Sequence, residues 1–244
     1  TAEESGDLTL YLRLRRAFLY KPGETEMKRE ARAVELLRRQ YLDAASPAVL
    51  ELIMDTAAKR ADRQELARLA AETIVKTFTE TDYALEARML LAEQAMDEGD
   101  LDTAVDHFTT VREVYAASPQ AGEALLRLGD IYVQKAEYKK ADQAYREILG
   151  VREWRGALWP AAIYGRGEAA RRQGNYREAS AYYERIYVLY AGYTDWAAKA
   201  YVQRARCLMR LRQFPKAQET LSEMLADPAL SEHQQTAAAR ELLE

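Results

Sequence analysis

Pairs of small residues twelve positions apart recur along this chain, and they limit what it can fold into. Ala92 and Ala104, Gly129 and Ala141, Gly167 and Ala179, and Ala205 and Ala217 are such pairs, and Asp55 with Ala67 is a weaker copy. The first members from Ala92 onward stand 37, 38 and 38 residues apart. A large residue follows each second member at the fourth position: Phe108, Tyr145, Tyr183 or Leu221. Val111, Ile148, Ile186 or Met224 comes three residues later. Offsets of four and seven place these side chains on one face of a helix. Two antiparallel helices approach closely where each presents a small residue, so every segment of this kind predicts a helix–turn–helix hairpin. The large residues then fill the space to the next hairpin. Gly99 and Gly174 lie seven residues after a first small position, where a helix C-terminus favours a left-handed residue. Ala136 and Arg212 occupy the equivalent places.

Composition agrees with a helical fold. Eleven Gly and 6 Pro in 244 residues are too few for the many turns of a β-sandwich or barrel. Ala, Leu, Glu and Arg, all good helix formers, dominate.

The run Leu128-Gly129-x-x-Tyr132, followed by Ala141-x-x-x-Tyr145, resembles the tetratricopeptide repeat family. Its leading aromatic survives as Tyr201, with Arg88, Leu125 and Ile163 in its place elsewhere, and its tail proline as Pro119 and Pro228. The resemblance implies an all-α, right-handed α-solenoid of stacked helix-turn-helix hairpins. The spacing exceeds the family's usual period of about 34. Loops such as Tyr115-Ala-Ala-Ser-Pro119 supply the extra residues. They are similar to repeats of bacterial cell-envelope assembly and Tol–Pal-associated proteins, which implies a periplasmic or envelope setting.

Hairpins are expected at about 47–80, 82–119, 120–156, 157–193 and 194–230. The small-residue register fails in residues 1–46, which predicts an N-terminal cap with helices at about 7–20 and 25–43, split at Pro22-Gly23. Residues 231–244 predict a last helix, a cap or a truncated repeat, beginning at Ser231. The first residue is Thr1 rather than Met, so we expect a processed chain or an excised part of a longer one.

Little in the sequence points to chemistry. The net charge of -4 argues against a nucleic-acid partner, and no apolar run is long enough for a membrane span in this segment. Cys207 is the single cysteine, so no internal disulfide can form, and a buried structural thiol is expected. His107 and His233 lack partners at metal-ligand spacing. The acidic run Asp97-Glu98-Gly99-Asp100-Leu101-Asp102 has the wrong spacing for a calcium loop, and Asp100 reads as a helix cap. No nucleophile, phosphate-loop or metalloprotease motif occurs. We therefore expect no catalytic residue, cofactor or metal. Tyr183 and Tyr187 fall on a packing face. Trp154 is the best candidate for an exposed aromatic anchor, although packing is the favoured role.

The resemblance implies that first helices line a concave groove. Residues beside the first small positions would make it acidic in the middle, through Glu86, Glu93, Asp97, Glu123 and Asp130. It would turn basic towards its C-terminal end, through Arg171, Arg172, Lys199, Arg206 and Arg210. An apolar thread of Met89, Leu126, Tyr164 and Val202 would run between. Such a surface suits a protein or peptide partner of mixed charge. The Lys and Asn clamp of chaperone-tail binders is missing, because the one asparagine, Asn175, lies in a turn. The alternative role is a structural spacer or oligomerisation arm, with a homo-oligomer as partner.

Overall fold

The computed structural model describes residue 28 and residues 45–59 and 64–244. The expected helices at about 7–20 and 25–43 lie outside the described residues. The chain separates into two compact units, one ending at Ala116 and the other running Ala117–Glu244.

Among the described residues there are eleven α-helices and no strand. The first unit holds α1 (Pro47–Ala58), α2 (Gln64–Thr77), α3 (Asp82–Glu98) and α4 (Leu101–Val114). The second holds α5 (Pro119–Gln134), α6 (Tyr138–Gly150), α7 (Leu158–Arg172), α8 (Tyr176–Leu189), α9 (Thr194–Arg210), α10 (Phe214–Ala226) and α11 (Gln235–Leu243). A 3-10 turn, Arg152–Trp154, links α6 to α7. Each helix packs on its chain neighbour within its hairpin. First helices also stack on first helices, α1 on α3 in one unit and α5 on α7 on α9 in the other. This is the stacking of an all-α solenoid.

The spacing of small and large residues becomes the packing. Ala92, Ala104, Ala141, Ala179, Ala205 and Ala217 are fully buried, and so are Phe108, Tyr145, Tyr183 and Leu221. Burying one such large side chain stabilises the fold by roughly 1.5–3 kcal/mol. Tyr145 shows how tight the fit is. A Cβ added at Gly129 on α5 would stand 2.4 Å from its ring, and one at Gly165 on α7 would stand 2.3 Å away.

The four hairpin turns from Gly99 to Gln213 share one backbone motif. At Gly99 the amide donates to the Met96 carbonyl, and that of Asp100 donates to Ala95. The pair of bonds repeats at Ala136–Glu137, Gly174–Asn175 and Arg212–Gln213. Residues 99, 136, 174 and 212 have φ of 81°, 58°, 79° and 57°. Ala136 and Arg212 thus adopt the left-handed conformation without being glycine, because two hydrogen bonds and the following helix hold it.

Helix starts follow local chemistry. Thr81, Asp100 and Ser118 accept the amides of Ala84, Thr103 and Ala121. Asp100 is therefore the cap expected of it. The last helix starts four residues later than the sequence suggested. Ser231 Oγ donates to the Pro228 carbonyl, and the helix begins beyond its reach, at Gln235. His233 Nδ1 instead accepts the Gln235 amide, while its Nε2 meets Asp195 Oδ1 at 2.8 Å. That contact ties the C-terminal turn to the start of α9.

Candidate protein-binding face

At two repeats the residue after the first small position meets the second helix of its own hairpin. Both are carboxylates facing buried tyrosines. Tyr145 donates to Asp130 Oδ1 at 2.7 Å, and Tyr183 donates to Glu168 Oε1 at 2.5 Å. The two acids shift in opposite directions. Burial raises the Asp130 pKa, against the Tyr145 hydrogen bond and the charge of Arg127. Burial would raise Glu168 too, but hydrogen bonds from Arg171 and Tyr183 and the charges of Arg171 and Arg172 hold it below the usual carboxylate range. The arginines after Glu168 set the two apart. Three residues on from Glu168 stands Arg171, whereas Val133 is three on from Asp130.

Arg171 binds Glu168 through both ends of its guanidinium, Nε to Oε1 at 3.0 Å and Nη2 to Oε2 at 2.6 Å. It is thereby fixed on α7 facing α9. A pocket of about 380 Å³ opens there, lined by Arg171, Gln203, Arg206 and Arg210 with Cys207 and Met209. Tyr164 lies beside it on α7. Its ring is 5.4 Å from Tyr183 and 5.3 Å from Trp196, and burial pushes its hydroxyl up to about 12. Lys199 Nζ sits 4.8 Å from the Trp196 ring. Arg206, Arg210 and Arg172 are exposed, and none has an ion pair among the described residues.

The remaining candidate residues are placed as follows. Glu86, Glu93 and Asp97 are exposed on α3 in the first unit, and Glu123 is exposed on α5 in the second. Leu126 and Asp130 are half-buried, while Met89 and Val202 are buried and offer a ligand almost no surface. The apolar thread on the surface is therefore mainly Leu126 and Tyr164.

Other singled-out residues are structural. Cys207 is 1% exposed, and burial pushes its thiol up to about 11 in spite of Arg171. Trp154 packs against α5 at Gly122, where an added Cβ would stand 2.9 Å from its ring. Trp159 Nε1 donates to the Val151 carbonyl. Burial and Arg88 lower the His107 pKa. Among the described residues no group of three or more His, Cys, Asp or Glu could hold a metal ion. No described helix is long and apolar enough to cross a membrane.

Sequence reasoning missed two arginines. Arg166 and Arg204 each stand one residue before a first small position and reach back to the preceding hairpin, and Arg204 also bonds across its own. Arg166 Nε meets Asp142 Oδ1 at 2.7 Å, and Arg204 meets Glu184 Oε1 at 2.8 Å and Thr220 Oγ1 at 2.6 Å. Their matching register was the available signal.

Residues 37–188 match the family model for a tetratricopeptide repeat-like domain. The chain belongs to this family. No curated protein matches it. Several solved structures share the tetratricopeptide-like fold. MamA protein is 18% identical, with a TM-score of 0.60 over 79% of this chain and 94% of its own. A tetratricopeptide repeat protein from Parabacteroides merdae is 19% identical, with a TM-score of 0.51 over 99% of this chain and 97% of its own. A signal transduction ATPase with numerous domains from Pyrococcus horikoshii, which carries a tetratricopeptide repeat sensor, is 16% identical, with a TM-score of 0.64. That match covers 99% of this chain and 38% of the ATPase.

Proposed function

We propose that this chain is a non-enzymatic protein-interaction scaffold, and that α7 and α9 hold a peptide segment of another protein. The fold is one suited to such a role. The observation that carries the reading is the pocket between α7 and α9, lined by the exposed Arg206 and Arg210, with Tyr164 near Arg206 and in ring contact with Trp196. Aromatic side chains and arginines dominate the energetics of protein interfaces, because they bury much area and make directed hydrogen bonds. Cys207 and the tyrosines are pushed towards their protonated forms, which removes them as nucleophiles or bases near neutral pH.

Photo-cross-linking in the cells that make the protein tests this. Probes at Arg172 and Arg206 on the first helices should form adducts with another protein. Probes at the exposed Arg185 on α8 and Glu219 on α10 should form few. Adducts from the second helices alone would overturn the reading. Adducts only between copies of this chain would favour an oligomerisation arm.

A further inference from the structure

The pocket between α7 and α9 carries more positive charge than its own side chains neutralise. Glu168 satisfies Arg171 in a two-pronged contact. Arg206 and Arg210 line the same pocket, are exposed, and have no ion pair among the described residues. Gln203, also in the lining, is hydrogen-bonded to the Tyr164 hydroxyl. Arg172 adds an exposed positive charge next in sequence.

Charge decides the class of partner, and geometry decides its pattern. One carboxylate balances the charge of one guanidinium when the two meet in the parallel, two-bond arrangement. Two free arginines therefore fit two carboxylates, more than a single chain terminus supplies. Arg206 and Arg210 are four residues apart on α9, so they are neighbours on one face, about 5–6 Å apart at Cβ. In an extended peptide, side chains at i and i+2 point the same way, roughly 6.6–6.8 Å apart. The second spacing is longer by about an ångström, a difference that two long, rotatable arginine side chains can take up. The residue between the two acids would point away from the pocket, and flanking side chains could reach the half-buried Tyr164 and Met209.

We propose that this pocket receives an extended partner segment with two acidic side chains separated by one residue, bound by Arg206 and Arg210. Arg171 stands beside them in the lining with its charge offset by Glu168. This inference rests on the peptide-binding reading above.

An array of short peptides, acetylated and amidated at their ends, tests it on the full chain. The array varies the separation of two glutamates and includes neutral and basic sequences, plus free-acid versions. Glu-x-Glu peptides should bind best, and added salt should weaken them, as it screens exposed charges. In the double variant Arg206→Ala/Arg210→Ala, binding should fall by about tenfold, the loss expected of two exposed charge contacts. Both side chains are exposed, so the variant should melt like the parent protein. Capture of neutral or basic peptides would overturn the acidic pattern and leave the scaffold reading intact. Equal capture of Glu-x-Glu by the double variant would overturn the pocket assignment. A requirement for a free C-terminus would overturn the two-acid geometry. Failure of every peptide would overturn both readings.

Discussion

At the scale of the residue, one repeat position carries two different electrostatic roles. Asp130 and Glu168 each follow a first small position and each accept a tyrosine hydroxyl. Their linkage to pH has opposite sign. The Glu168 pKa is below 4.5 in the folded chain, so its stabilisation is present above that pH and is lost as pH falls through the lowered value. The melting temperature of Glu168→Gln should therefore lie below that of the parent above pH 4.5, and the gap should close on acidification. The Asp130 pKa is above 3.8 in the folded chain, so the folded state holds its proton to higher pH than the unfolded state. Stability then falls as pH rises through the raised value. Asp130→Asn should gain on the parent over that rise, and melting curves across pH check both variants. Half of this was legible in the sequence. The expected groove positions of Asp130 and Arg171 followed from the repeat register. The ties of Asp130 and Glu168 to buried tyrosines did not, because the slots of Tyr145 and Tyr183 were read as core. A hydroxyl distinguishes these two from Phe108 and Leu221 in the same slot, and a buried hydroxyl needs a partner.

At the scale of the element, close approach between helices sets what each hairpin tolerates. Tyr145 is fully buried, bonded through its hydroxyl, and hemmed by Gly129 and Gly165. An added methyl at Gly165 has no space, because the ring cannot withdraw without breaking the bond to Asp130. Gly165→Ala should destabilise by roughly 1–3 kcal/mol, the usual effect of overpacking a core. Gly150, at the end of α6, has nothing within 4 Å of an added Cβ. Gly150→Ala should be neutral or stabilising by up to about 1 kcal/mol, from helix propensity. Chemical denaturation of the two variants separates these outcomes. Hairpin turns were legible from spacing alone, even at Ala136 and Arg212, which lack the expected glycine. The start of α11 was not, because a capping serine at 231 is a local signal. His233 acts on α11 through a contact with Asp195, distant in sequence.

At the scale of the molecule, the repeat runs through two compact units without a change in its spacing. Ala92 and Gly129 lie on either side of the division at Ala116, 37 residues apart, within one residue of the other two spacings. The sequence spacing reports the hairpin and is blind to how hairpins group. The acidic residues of α3 belong to the first unit and the arginine pocket to the second, so the case for binding rests on the second unit alone. Charge there was legible because Arg171, Arg206 and Arg210 recur at first-helix positions. The neutralisation of Arg171 by Glu168, which leaves Arg206 and Arg210 as the open pair, required the structure. The most direct test maps amide chemical shifts of the full chain on titration with the partner segment recovered by cross-linking. Changes centred on α7 and α9, around Arg171, Gln203 and Arg206, are predicted. Changes confined to α8 and α10 would contradict the account.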